Sequence, residues 1–326
     1  MNNIKSGISF LGRQPWTVSF GASVLILLAL IPMSSRSPID VLLSNFALSS
    51  FVAIAALGQM IVVSTGRGAV DLSIPYTITL SVYVATIIQE GKNDNLFISI
   101  VAALAVGALV GAVNGFAVVV LRIPAMVATL SVGFIAQSIV QILSSTAGHV
   151  GPSPAIADLS RADVFGFSVF TLIAIGMCVL VALLLFRTAF GVRLLGTGQN
   201  DVAARLAGLK PSSTRWVAFV LSGLFAGITA ILLGGYSGGA SLGVGASFLI
   251  SSIAAVVLGG ASLAGGVGTV LGTVLGLALL AIMQNGLILV GVSSYWSQFF
   301  VGLVILLSVS ATALSARRKR KGNLVA

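Results

Sequence analysis

Apolar runs of helical length, separated by short polar gaps, recur along the whole chain. A helix needs about 20 such residues to cross the roughly 30 Å of hydrocarbon in a bilayer. Taken in order, the runs predict ten spans near 16–33, 41–64, 72–89, 96–121, 125–144, 166–187, 216–236, 247–264, 267–290 and 296–315. The third span contains Pro75, and the eighth is short. Glycines recur four residues apart at Gly107, Gly111 and Gly115, at Gly223 and Gly227, and at Gly268, Gly272 and Gly276. Such stripes let helix backbones approach closely, so a compact all-α bundle is expected. Residues 113–115 resemble 284–286, and 64–69 resemble 235–240, both pairs 171 apart. An offset of five spans reverses direction, the plan of an inverted five-plus-five repeat. The glycine triplets themselves are 161 apart.

Composition agrees with the pattern. The 326 residues are 57% hydrophobic and 7% charged, against about 25% charged in soluble domains. That leaves one polytopic membrane domain over 1–326 and no room for a separate soluble one. A net charge of +10 would suggest nucleic acid in a soluble protein, but here the basic residues fall in the gaps between spans. With the N-terminus inside, 14 Lys/Arg lie on the inner side and 3 (Arg36, Lys92 and Arg161) on the outer side. This asymmetry predicts an even number of spans with both termini cytoplasmic. The tail 316–326, with Arg317–Lys321, reads as an anchor to anionic headgroups. The outer segment 145–165 reads as a long loop carrying the single histidine, His149, as a solvated residue.

The longest polar interval between strongly apolar runs is 188–215. Within it, Asn200–Leu209 has helical spacing: Val202, Leu206 and Leu209 share a face, and Asp201 and Arg205 form an i,i+4 pair. It reads either as a solvated amphipathic helix at the membrane surface or as a docking site.

Little here can do covalent chemistry. Neither phosphate-loop motif for nucleotides occurs, nor HExxH, nor a Cys/His cluster, and the single cysteine Cys178 is in an apolar run. No span carries a charge near its middle, which disfavours a proton-driven carrier. Asp71 reads as the cap of the third span, with Arg67 as an exposed ionic partner. The spans carry neutral amides instead: Asn45, Gln59, Asn114, Gln137, Gln141, Gln284 and Asn285. These either hold helices together or line a path; amides both donate and accept, which suits a polyhydroxylated solute better than an ion. Asn45, Gln59, Asn114, Gln137, Gln284 and Asn285 are the candidate path residues.

Three stretches carry a family resemblance: LRIPAMVATL at 121–130, following Asn114-Gly115; FGVRLLGTGQNDVAARLAG at 190–208; and SIAAVVLGGASLAGGVG at 252–268. With the span pattern, the chain resembles the permease subunits of bacterial ABC importers for ribose and related monosaccharides, in the branched-chain amino acid/ribose permease superfamily. The resemblance implies a type II importer permease fold in the bacterial inner membrane. It implies a second permease copy or paralogue, cytoplasmic ATPase subunits and a periplasmic solute-binding protein as partners, besides membrane lipid and without nucleic acid. This chain would then be no enzyme and bind no cofactor; ATP and magnesium would belong to the ATPase. The cytoplasmic coupling segment would use Gly191, Gly196, Asn200, Asp201, Ala203, Ala204, Leu206 and Gly208. One departure stands out. The family commonly has Thr-Gly-Gly-Ile-Asp-Leu-Ser after its second span, whereas 65–73 reads TGRGAVDLS, two residues longer and with a charge at Arg67.

The other readings are a sodium-coupled or facilitative carrier working alone, which would transport without any ATPase, and a membrane-embedded enzyme, which would need clustered charges at one face. The charge asymmetry sets an expected labelling pattern. On a Cys178→Ala background, cysteines at Ser35, Asn93 and Ser153 should react with impermeant thiol reagents from outside, and cysteines at Ser213 and Asn323 should not. Outside labelling at Ser213 would reverse the orientation.

Overall fold

The computed structural model describes residues 17–30, 38–146, 151–289, 291–293, 295–304, 306, 307 and 310. Its helices are α1 (Thr17–Leu30), α2 (Pro38–Ser64), α3 (Ile74–Gln89), α4 (Leu96–Val119), α5 (Ala125–Thr146), α6 (Pro154–Arg161), α7 (Val169–Arg187), α8 (Ala189–Gln199), α9 (Asp201–Leu206), α10 (Pro211–Tyr236), α11 (Phe248–Leu258) and α12 (Val270–Leu289). Residues 295–304 are also helical. Each predicted span therefore contains a helix, and the chain is an all-α multi-pass membrane protein. Among the described residues, five helices are long and apolar enough to cross a membrane (α4, α5, α7, α10 and α12), and three shorter apolar ones accompany them. His149 and the basic tail lie outside the described residues.

The 171-residue offset is the one the elements follow. Adding 171 to the bounds of α2, α3 and α4 gives 209–235, 245–260 and 267–290, which overlie α10, α11 and α12. The third helix is the short one in the first copy, with 16 residues, and its counterpart α11 has 11. Pro75 does not break α3, because the helix starts at Ile74 and the proline sits in its first turn, where its missing N–H has no intrahelical partner to lose. Buried Thr77, Thr79 and Thr86 each bond the carbonyl four residues back, at 2.9, 2.8 and 2.9 Å, so their hydroxyls are satisfied inside α3 itself. The two short helices meet where Gly245 N–H donates to Thr79 Oγ1 at 3.2 Å.

α10 is the central helix, packed on α4, α2 and α3. Lipid offers apolar side chains no worse a home than another helix does, so contact must come from close van der Waals packing. The glycine stripes supply it. A Cβ on Gly107 would strike the Gly223 carbonyl, and one on Gly111 the Phe219 carbonyl; a Cβ on Gly227 would lie 2.8 Å from the Ala103 oxygen. The third stripe seats α12 on α11, with Gly272 against Gly259 and Gly276 against Ala255.

The segment expected as a plain loop at 145–165 is structured in its second half. Ser153 Oγ accepts from Ile156 N–H to cap α6, Pro154 follows as the first helical residue, and Ile156 is buried against Gly235. Gln89 Oε1 accepts the Ser153 N–H at 2.8 Å, tying this helix to the end of α3. A two-stranded hairpin follows, β1 (Asp163–Val164) with β2 (Phe167–Ser168), turned by Phe165 and Gly166 at φ 53° and 80°. Because Ser153 is fully buried, a thiol there is closed to reagents; exposed Asn93 serves that side.

Gly107→Ala should lower the thermal unfolding midpoint of the detergent-solubilised protein, because α4 and α10 must part; overpacking costs about 1–3 kcal/mol. Gly176→Ala, whose Cβ would meet nothing within 4 Å on α7, should leave the midpoint unchanged or raise it. Equal effects at the two positions would remove the stripe from its role.

Candidate functional site

At the end of the bundle where α9 lies, three glycine-bearing turns from distant parts of the chain meet through their backbones. Gly66 (φ 82°) lies against Gly198, Gly265 (φ 97°) lies against Gly66, and Gly266 N–H donates to the Ser64 carbonyl at 3.1 Å. Gly68 N–H donates to the Leu263 carbonyl at 3.2 Å. A side chain at Gly198 would strike the Ser64 carbonyl.

The segment 188–215, expected to couple to an ATPase, is built on this junction as two helices, one more than its spacing suggested. Thr188 Oγ1 accepts from Gly191 N–H to cap α8, and Gly191 lies so close to the Leu185 carbonyl that no Cβ fits. Gly196 lies beside Leu209. Asn200, in extended backbone, caps α9: its Oδ1 accepts from the N–H groups of Val202 and Ala203 at 3.0 and 3.1 Å. Gly208, at φ 78°, lets the chain turn out of α9.

Asp201 holds this helix to the bundle. One carboxylate oxygen accepts from Arg215 at 2.7 Å; the other accepts from Arg205 at 2.9 Å and from Arg67. Burial pushes the Asp201 carboxyl up, but Arg215, Arg67 and Arg205 outweigh it and hold the group below its usual value. Its stabilising contribution is therefore complete above the ordinary carboxylate pKa and is lost as the pH falls through the lowered native value. The expected Arg67–Asp71 pair does not form. Arg67 pairs with Asp201 instead, and Asp71 turns inward to Ser222.

This anchoring sets the rotation of α9. Ala204 faces the bundle and is buried, whereas Val202 is 67% and Leu206 85% exposed, with Ala203 exposed beside them. Of the apolar face read from the spacing, Val202 and Leu206 thus point away from the rest of the chain, while Leu209, past the end of α9, is half-buried beside Gly196.

The path candidates divide between two places. Gln59 and Asn114 are fully buried in the centre. There Asp71, in the turn-rich stretch before α3, accepts from Ser73 N–H at 3.0 Å, from Ser73 Oγ at 2.6 Å and from Ser222 Oγ at 2.8 Å. Asn114 Nδ2 donates to Ser73 Oγ at 2.7 Å. Ser222 is in mid-α10, so a carboxylate does reach the bundle interior, and it is no helix cap; Ser73 holds that position. Gly58 lies against Ser222, yet among the described residues neither polar atom of neighbouring Gln59 finds a partner, and Asn114 Oδ1 has none either.

Gln284 lines a second place, a cavity of about 380 Å³ where α2, α10, α11 and α12 meet, with Phe51, Tyr236, Phe248, Ser251 and Gln298. Phe51 and Tyr236 are in ring contact at 5.2 Å. Gln137 is half-buried on α5, in neither place, and the side chains of Asn45 and Asn285 lie outside the described residues. Aromatic faces beside amides and hydroxyls suit a small solute with both C–H and O–H surface. No cluster of metal-binding side chains occurs among the described residues.

An amide buried without partners costs about 1–3 kcal/mol. Gln59→Leu should therefore raise the unfolding midpoint of the purified protein. A fall would mean that the amide is bonded in the folded state.

Comparison with known proteins gives three results. The family described as branched-chain amino acid transport system / permease component matches residues 41–309. The autoinducer 2 import system permease protein LsrD of Yersinia enterocolitica is 30% identical over 314 residues, covering 94% of each chain. Its counterpart in Yersinia pestis (strain Pestoides F) is 29% identical over 94% of this chain and 93% of its own. Among solved structures, an inward-facing metal-chelate type ABC transporter chain superposes with a TM-score of 0.53 at 15% identity, over 90% of this chain and 99% of its own, a likeness of fold.

Proposed function

The chain belongs to the branched-chain amino acid transport system / permease component family, and on that premise we propose that it is the membrane permease of an ATP-driven importer of a small polyhydroxylated solute. The arginine-rich end is cytoplasmic, in keeping with the excess of Lys/Arg in the segments on that side. The membrane is the bacterial inner membrane, with both termini cytoplasmic. The chain catalyses nothing and binds no cofactor. A separate ATPase pair hydrolyses ATP with magnesium, a periplasmic binding protein delivers the solute, and a second permease completes the path.

The observation that carries this reading is the outward apolar edge of α9. Val202 and Leu206 are exposed on a helix that Asp201 braces against Arg67 and Arg215, and no other described residue covers them. Exposing two such side chains at the arginine-rich end is unfavourable unless a partner takes them. A partner seated on α9 would push on the glycine junction behind it, where both repeats meet. The other end supplies the solute's route, with the cavity beside Tyr236 and Gln284 first and the Asp71–Asn114–Gln59 cluster deeper. The relatives named for autoinducer 2 import support inward transport, and autoinducer 2 joins the monosaccharides as a solute to test.

Leu206→Glu tests the docking edge. The position is exposed, so the variant should reach the membrane in normal amount with an unfolding midpoint within about 0.5 kcal/mol of the parent. It should lose co-purification with the ATPase or lose solute-stimulated ATP hydrolysis in proteoliposomes. Normal assembly and normal uptake would refute the role of α9. Ala204→Glu does not discriminate, because Ala204 is buried against this chain and a glutamate there unseats α9 directly.

A further inference from the structure

A recess of about 600 Å³ opens beside α9, walled by Arg67, Arg122, Arg205 and Arg215 and by the first residues of two helices, Ala125 of α5 and Ser212 of α10. We propose that this recess is a binding site for a phosphate-type oxyanion carried on a larger group.

Charge is the first argument. Four guanidiniums face one carboxylate, and 4 − 1 leaves three positive charges uncompensated. Asp201 has two oxygens for three arginines, while Arg122 makes no ion pair among the described residues. A diffuse basic surface would need only exposed, hydrated arginines. Arg215 is different: it is 7% exposed, and its Nε is buried with no hydrogen-bond partner among the described residues. A buried guanidinium with an unspent donor is a group lacking an acceptor.

Geometry is the second. The helices α5 and α10, of 22 and 26 residues, begin at the recess, and their free N–H groups favour an anion there. The end of α4, at Val118 and Val119, opposes this with its carbonyls, so the helix ends do not carry the site without the arginines. Arg67 and Arg122 both hold left-handed backbone at φ 59°, which aims two flexible side chains from separate turns at one space. Arginine forks match phosphate oxygens bidentately. The recess is several times larger than an inorganic phosphate, so the phosphate would carry an organic part: a phospholipid headgroup or a soluble phosphorylated metabolite. An occupant would compete with Asp201 for Arg67 and Arg205 and so alter what holds α9.

The test uses the full-length protein in nanodiscs. In phosphatidylcholine discs, inorganic phosphate is titrated against sodium chloride at matched ionic strength, with the unfolding midpoint as readout. In discs containing one-fifth phosphatidylglycerol, native mass spectrometry counts the lipid retained. Arg122→Gln is the probe variant, since Arg122 is exposed and unpaired among the described residues and its loss leaves the fold alone; Arg193→Gln, exposed but outside the recess, is the control. A saturable phosphate effect in phosphatidylcholine, weakened about tenfold or more by Arg122→Gln and kept by Arg193→Gln, identifies a soluble oxyanion. Retention of phosphatidylglycerol that Arg122→Gln abolishes, Arg193→Gln preserves and phosphate displaces identifies a headgroup. Neither effect, or equal losses in the two variants, overturns the site and leaves the recess to general charge or to an acidic side chain of a protein partner.

Discussion

Backbone touching backbone at glycine is the contact on which this bundle depends. Between membrane helices there is no water to expel, so affinity must come from short-range dispersion, which falls steeply with distance. The contacts of α4 on α10 and of α12 on α11 meet that demand by removing side chains altogether, and the junction of Gly66, Gly198 and Gly265 applies the same solution to turns. Side-chain packing can adjust by rotamer changes. A carbonyl lodged against a glycine α-carbon has no such freedom, so helices joined this way move as one body.

The stiff frame leaves its polar chemistry in the gaps. α3 is short, and the non-helical stretch before it brings Asp71 to Ser222 in mid-α10. The carboxylate is surrounded by hydroxyl donors, yet Gln59 beside it keeps an amide without partners. A frame optimised for stability alone would place leucine there. Natural chains keep such local violations where a function requires them.

The span order, the all-α class and the repeat offset were legible because each rests on long stretches of composition, where single-residue errors average out. Partners were not. The spacing of Gly107 and Gly223 announced two flat stripes, but only the packing shows that they face one another. Asp71 sits at the margin of an apolar run, where helix cap and interior carboxylate look alike; its depth is set by the fold of the preceding stretch. α8 lacks a helical apolar pattern because of its glycines at 191, 196 and 198, of which Gly191 and Gly198 permit close packing. For α9 the spacing grouped Val202 and Leu206 correctly but added Leu209, which falls past the helix end, and the direction of the face depended on Asp201 finding Arg215 and Arg67, partners 14 and 134 residues away.

The bond from Gly266 N–H to the Ser64 carbonyl also places a demand on biosynthesis. The partners are 266 − 64 = 202 residues apart. A ribosome adding roughly 5–20 residues per second needs about 10–40 s to make that interval. During that time the first half of the bundle waits in the bilayer with the Ser64 carbonyl lacking its native donor, so its final form is settled only when the second half arrives.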